Sequence, residues 1–141
     1  MTTTDIQNEI VEEFSVFDDW MDRYEYLIEI GNTLETYDDK NKTQSNLIQG
    51  CQSRVWLDAE YKEGKIYFTA DSDAIITKGI IALLIRVFFG KTPDEILQTD
   101  LFFLDKIGLK ENLSPTRANG LVSMIKNINA YAQAFKAKYE K

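Results

Sequence analysis

The sequence contains no histidine and one cysteine, Cys51. A Cys/His zinc site, an intramolecular disulfide, a CxxC redox pair and any Cys-His or Ser-His-Asp nucleophilic constellation are therefore excluded. Only two prolines occur in 141 residues, and no Pro/Gly linker, low-complexity block or internal repeat divides the chain. The longest apolar stretch, residues 75–89, is about 15 residues long and carries Lys78 and Arg86, too short and too charged to span a membrane. The start Met1-Thr2-Thr3-Thr4-Asp5 has no basic segment leading into an apolar one, so no secretion signal is expected and a reducing cytoplasm suits the lone thiol. Positive charge is also scarce. The formal net charge is -7, the reverse of the basic field that backbone-driven nucleic-acid binding requires. The deficit sits in residues 1–50, which hold 12 acids and 3 bases (net -9), against 11 acids and 13 bases (net +2) in residues 51–141.

What is present suffices for one domain over residues 1–141, with 44% hydrophobic residues and about two thirds of the extended-chain surface expected to be buried. Thr4 and Gln7 have capping-box spacing ahead of a helical stripe of Ile6, Ile10, Val11 and Phe14. Ser15 is the expected cap of a second helix carrying Trp20, Tyr24, Leu27 and Ile28, with Gly31 as its C′ terminator. Residues 35–45 are polar and aperiodic, and read as a loop. Residues 54–61 and 65–70 alternate in strand fashion around the turn Lys62-Glu63-Gly64, and residues 46–49 are expected to add a short third strand. Residues 75–89 form the expected buried central helix, capped by Ser72 or Asp73. Thr92-Pro93-Asp94-Glu95 is a complete helix start. Another short helix is expected from Asp100 through Lys106, closed by Gly108, followed by a loop over residues 109–113. Ser114-Pro115 opens the last long helix, with the stripe Ala118, Leu121, Val122, Ile125, Ile128, Ala132 and Phe135, and with Lys136, Lys138 and Lys141 at the negative pole of its dipole. The fold class expected is α+β, a small antiparallel sheet of about three strands packed against helices.

Several motif-like runs fail on their chemistry. Asp38-Asp39-Lys40-Asn41 lacks the central glycine and terminal glutamate of a calcium loop. Gly90-Lys91-Thr92 lacks the earlier glycine of a phosphate-binding loop, because Ile85 stands there. Asn41-Lys42-Thr43 and Asn112-Leu113-Ser114 match a glycosylation pattern that has no use without secretion. Cys51 is different. A solitary cysteine in a domain of this size is most simply buried and inert, but this one follows Gly50 and precedes Gln52, Ser53 and Arg54, a neighbourhood that favours a loop-tip thiol. One accessible thiol suffices to accept sulfane sulfur, since the donor persulfide supplies the leaving group. Arg54 and Arg117 are the nearby cations able to favour a thiolate, and Arg117 falls in a first helical turn where the dipole disfavours a cation. Each also has an ordinary reading as a solvated charge.

The run Gly50-Cys51-Gln52-Ser53-x-Val55-Trp56 resembles the cysteine motif of the SufE/CsdE family of sulfur-acceptor proteins. Two further runs match in order, Asp71-Ser72-Asp73-Ala74-Ile75-Ile76-Thr77-Lys78-Gly79 and Leu113-Ser114-Pro115-Thr116-Arg117-Ala118-Asn119-Gly120-Leu121, so the resemblance covers essentially the whole chain. It implies sulfur receipt on Cys51 from a SufS/CsdA-like cysteine desulfurase, stimulation of that enzyme, and delivery toward an iron–sulfur scaffold. The resemblance further implies that pyridoxal phosphate belongs to the partner, with no cofactor held by this chain. Asp71, Asp73 and Arg117 match motif regions near the acceptor loop, and with Arg54 are candidates for loop positioning or partner contact. The competing class is a non-covalent module that positions or blocks a basic partner through its acidic first half. Only the acceptor reading requires Cys51 to carry extra sulfur.

Overall fold

The computed structural model describes residues 1–140, so the expectation for Lys141 lies outside the described residues. Helix α1 (Thr3–Ser15) begins two residues earlier than its spacing suggested: Thr2 and Asp5 form the capping box, each donating a backbone N–H to the other's side chain at 3.1 Å. Gln7 is released from capping for a buried role. Its amide donates to the Asp100 carbonyl at 3.1 Å and accepts from the Phe103 N–H at 3.2 Å, tying α1 to a distant turn. Ser15 does not cap α2 (Trp20–Gly31); Asp19 does, its carboxylate accepting from Met21 N–H at 2.9 Å.

Gly31 is the last residue of α2 and not a left-handed terminator, and the reason lies across the interface. Helix α3 (Ile75–Phe88) crosses α2 so closely that a Cβ on Gly79 would stand 2.3 Å from the Leu27 carbonyl oxygen, and one on Gly31 would stand 2.9 Å from Gly79 N. Ten of the fourteen α3 residues are buried, so the helix must be covered on nearly every face. Helices α1 and α2, the sheet and the last helix cover it.

That sheet has two strands, not three. Strands β1 (Val55–Lys62) and β2 (Lys65–Ser72) pair antiparallel from Val55↔Ser72 to Lys62↔Lys65. Glu63 and Gly64, with φ of 53° and 81°, make the two-residue turn that suits the right-handed strand twist. Val55, Leu57, Ile66, Phe68 and Ala70 are buried, as the alternation requires. The expected strand at 46–49 contributes one bridge, Leu47↔Trp56, and the bond from Ile48 N–H to the Val55 carbonyl at 2.8 Å. A 3₁₀ turn at Gln44–Asn46 before it and Gly50 at φ 91° after it leave too little extended chain for a ladder. A second 3₁₀ turn, Asp39–Asn41, lies within the same polar segment.

Neither Ser72 nor Asp73 occupies the cap position of α3, which falls on Ala74. Ser72 Oγ accepts from Ala74 N–H at 3.2 Å, while Asp73 turns back to the segment before β1. Helix α4 (Pro93–Gln98) starts with the expected Thr92/Glu95 capping box. Helix α5 (Phe103–Lys106) begins after Asp100, and Gly108 at φ 72° leads into a one-turn helix α6 (Leu109–Asn112) where a loop was expected. Ser114 caps α7 (Pro115–Tyr139) through Arg117 N–H, and Lys136 and Lys138 occupy its last turn. The α7 stripe differs at one place: Val122 is 47% exposed, and the buried residue beside it is Met124, which lies three residues beyond Leu121 on the inward face. Among the described residues, no helix is long and apolar enough to cross a membrane.

The helix crossing gives the first prediction. Gly79→Ala forces backbone apart from backbone, so its urea midpoint should fall by the equivalent of about 2 kcal/mol or more, where an unchanged midpoint would contradict the packing described.

Candidate functional site: a thiol docked on the final helix

The segment from Gly50 to Arg54 leaves the Leu47 bridge and enters β1, and it lies against the early turns of α7. Gly50 makes the reversal with φ 91°, and a Cβ there would stand 2.4 Å from Ser123 Oγ, so both conformation and space call for glycine. Cys51 is half-buried, its Sγ 3.6 Å from the Gly120 carbonyl oxygen, to which the S–H is the donor. Gly120 is buried directly beneath it, and an added Cβ would approach Sγ to 3.5 Å. The unusual Asn119-Gly120 pair within a helix thus marks a close contact.

Around the sulfur is a cavity of about 370 Å³ whose walls include Ser53, Thr77, Ile80, Arg117, Gly120 and Met124. Burial alone pushes the Cys51 thiol above its ordinary value of 9.0. The Gly120 carbonyl beside Sγ accepts from the S–H and offers no donor to a thiolate. The resting sulfur is therefore a neutral thiol held against a helix and not activated in place.

Two of the five expected site residues share this cavity, Cys51 and Arg117. The Arg117 backbone N–H belongs to the Ser114 cap, while its exposed side chain forms no ion pair among the described residues. Arg54, Asp71 and Asp73 lie outside the cavity lining. Asp73 Oδ1 accepts from Arg54 N–H at 3.0 Å, Asp73 N–H donates to the Arg54 carbonyl at 3.2 Å, and Ser72 Oγ donates to that carbonyl at 2.8 Å. The Arg54 side chain faces a neighbouring cavity of about 350 Å³ with Lys42, Leu47 and Trp56. Asp71 pairs with Lys42 at 3.2 Å and Lys78 at 3.3 Å. Burial opposes its ionisation, but the Ser72 N–H and the two lysines outweigh burial and hold its carboxyl below the usual range. Thr77, Ile80 and Met124 were not singled out by sequence as site residues. Thr77 had two signals, its place in the Asp71–Gly79 run and its small polar side chain in a largely apolar helix, and it is buried here to 6% exposure.

Fold and site together define a small α+β protein that presents one docked thiol from a loop. A family model described as "SufE: Fe-S metabolism associated domain" matches residues 8–132. An uncharacterized SufE-like protein of Rhizobium meliloti (strain 1021) is 41% identical over 140 residues, covering 94% of this chain and 96% of the relative. Another, of Synechocystis sp., is 40% identical over 126 residues, covering 89% and 79%. The solution structure of a hypothetical protein from Thermus thermophilus shares the fold at TM-score 0.74 and 20% identity, over 92% of this chain and 94% of that one. The chain belongs to the SufE family.

Two outcomes follow for the thiol. Native Cys51 should react with iodoacetamide at pH 7.5 about tenfold or more slowly than in urea, and Gly50→Ala, which cannot keep the reversal against Ser123, should speed native alkylation. Equal native and unfolded rates would contradict the docked geometry. Because the folded pKa is raised, the thiol's contribution to stability is complete below the unfolded value and is lost as pH rises through the folded one. The stability of wild type relative to Cys51→Ser should therefore decline above about pH 9, as measured by urea melts across pH.

Proposed function

We propose that this chain, acting as a single domain, accepts sulfane sulfur on Cys51 from a SufS/CsdA-like cysteine desulfurase, stimulates that enzyme's turnover, and passes the sulfur to an iron–sulfur scaffold or another acceptor. The observation that carries this reading is the docked thiol itself, the only cysteine of a SufE-family chain, half-buried in a cavity beside Gly120 and Arg117. Pyridoxal phosphate belongs to the partner in this reading, and the chain is an accessory that does not itself produce sulfur. The cytoplasm is the compartment proposed, where a lone thiol stays reduced.

The chemical step needs one nucleophile. Cys51 loses its proton and attacks the outer sulfur of the donor persulfide; the donor S–S bond breaks as the Cys51 S–S bond forms, and the departing donor thiolate takes up a proton. No net oxidation occurs. The resting thiol is disfavoured as a thiolate, so attack requires the loop to leave the Gly120 carbonyl, and partner contacts supply the free energy for that extension. Arg117 sits at the cavity wall with its guanidinium uncommitted to any ion pair among the described residues, which suits it to steady the sulfur anion or a partner carboxylate. Asp73 anchors the C-terminal end of the moving segment through the Arg54 backbone, and Asp71 does so less directly through Lys42 and Lys78. After transfer, withdrawal into the cavity places the terminal sulfur among Thr77, Ile80 and Met124, away from bulk thiols.

Incubation with a cognate desulfurase and cysteine should add about 32 Da, removable by reductant, to the wild type and none to Cys51→Ser, read by intact mass. A normal gain on the serine variant would contradict the assignment, and stimulation without any loading of the wild type would favour the non-covalent module. Arg117→Ala should lower sulfur transfer about tenfold while changing stability by less than about 0.5 kcal/mol, because the side chain is exposed and unpaired. Unchanged transfer at saturating partner, with unchanged affinity, would return Arg117 to the solvated surface.

A further inference from the structure

Along the second half of α3, past the residues that line the thiol cavity, is a larger feature that the sulfur chemistry does not use. A groove of about 710 Å³ runs between the C-terminal part of α2, the middle of β2 and the last turns of α3. Its floor is apolar, formed by Ile30, Phe68, Ala82 and Ile85, and Leu34 and Phe89 form its walls. Phe89 is 46% exposed, held edge-on against Tyr67 and not folded into the core. A second depression of about 550 Å³ adjoins the groove, sharing Glu35, Thr69 and Phe89 with it.

The rims carry one dominant sign of charge. Glu29 and Glu35 line the first depression, and Glu35, Asp58, Glu60 and Glu63 line the second. None of these five carboxylates forms an ion pair among the described residues. The cation within the groove, Arg86, is already engaged by Glu9 and Glu13 of α1, leaving Lys62 as the other base on the rim. A concave apolar floor of ligand-site size ringed by unpaired acids is complementary to large apolar side chains flanked by lysine or arginine. It repels phosphates, nucleic acid and anionic membrane surfaces. A second copy of this chain offers this rim no strong excess of base, with net -9 over residues 1–50 and only +2 over residues 51–141.

We propose that this groove docks a basic, amphipathic segment of a partner polypeptide, with apolar anchors against Phe89 and Leu34 and basic residues against Glu29 and Glu35. The site is distinct from the thiol cavity. The two share no lining residue: from α3 the thiol cavity takes Thr77 and Ile80 of the first half, and the groove takes Ala82, Ile85 and Arg86 of the second. A partner seated here leaves Cys51 free to engage a second protein, so the groove serves as a tether that raises the local concentration of one partner while the loop visits another. Docking in the groove does not depend on Cys51 carrying sulfur.

The test uses the full chain and a fluorescent synthetic helix of about 14 residues, with Leu and Phe spaced four apart on one face and Lys on its flanks. Saturable binding should be mapped by amide shifts to the backbone of Leu34 and Phe89, with the Cys51–Gly120 region unmoved. The double variant Glu29→Lys/Glu35→Lys and, separately, Phe89→Ala should each weaken binding about tenfold or more; these side chains are exposed, and far-UV circular dichroism confirms that each variant folds. A version of the helix with Glu in place of Lys should not bind. Equal binding of the acidic version, insensitivity to all three substitutions, or shifts mapped elsewhere would overturn the proposal. So would a dimer of the free chain in sedimentation that Phe89→Ala dissolves, because the groove would then belong to a second copy. Binding to Cys51→Ser should equal wild type, which separates failure here from failure of the sulfur-acceptor reading.

Discussion

The backbone contact between α2 and α3 at Gly31 and Gly79 is the constraint on which the arrangement rests. Helix α3 is too apolar to present a face to water, and it is covered on one side by α2 at a distance that only two glycines permit. Fixing α3 in this way sets the position of residues that project elsewhere from it. Thr77 and Ile80, on either side of Gly79 in sequence, become walls of the thiol cavity, while Ala82 and Ile85 become the floor of the acidic groove. A methyl group at the crossing would therefore disturb both sites without touching either.

The thiol is placed by a second, weaker contact, between the Cys51 loop and α7. Nothing in the resting geometry activates the sulfur: burial raises its pKa, and its hydrogen-bond partner is a carbonyl acceptor. For an enzyme nucleophile this would be a defect, but for a carrier it is consistent with the need to hold reactive sulfur between two encounters. The anchors differ along the loop: Gly50 makes its reversal against Ser123, whereas Arg54 is tied to Asp73 and Ser72 through its backbone. The acidic residues of the first half of the chain lie largely on α1, α2 and the polar segment after them.

The fold was legible wherever one local signal was unopposed. The hairpin turn, the Thr92 box and the Ser114-Pro115 start are examples, since alternation, caps and N1 proline act within a few residues. Misreadings arose where a distant atom decided. Gln7 had capping-box spacing but was claimed by Asp100 and Phe103, and Gly31 looked like a terminator but was small for the sake of Gly79. The third strand failed because Gly50 needs positive φ, a demand made by the thiol loop and not by the sheet. In the site, Cys51 stood out by uniqueness and Arg117 by its conflict with the helix dipole. Arg54, Asp71 and Asp73 shared the same neighbourhood in sequence, but Arg54 and Asp73 bond to each other beyond the end of the hairpin and Asp71 pairs with Lys42 and Lys78. Ile80 and Met124 were unmarked, and Thr77 was only one member of a matched run, because only the helix packing brings their faces to the sulfur.

The central claim is that Cys51 carries sulfur and shelters it in the cavity on α7. It is tested most directly by loading the chain with sulfur from a desulfurase, removing the enzyme, and following cyanide-labile sulfur as thiocyanate in native buffer and in urea. One labile sulfur per chain is expected, released about tenfold or more slowly from the folded protein than from the unfolded one. Absence of labile sulfur, or equal release rates in the two states, would contradict it.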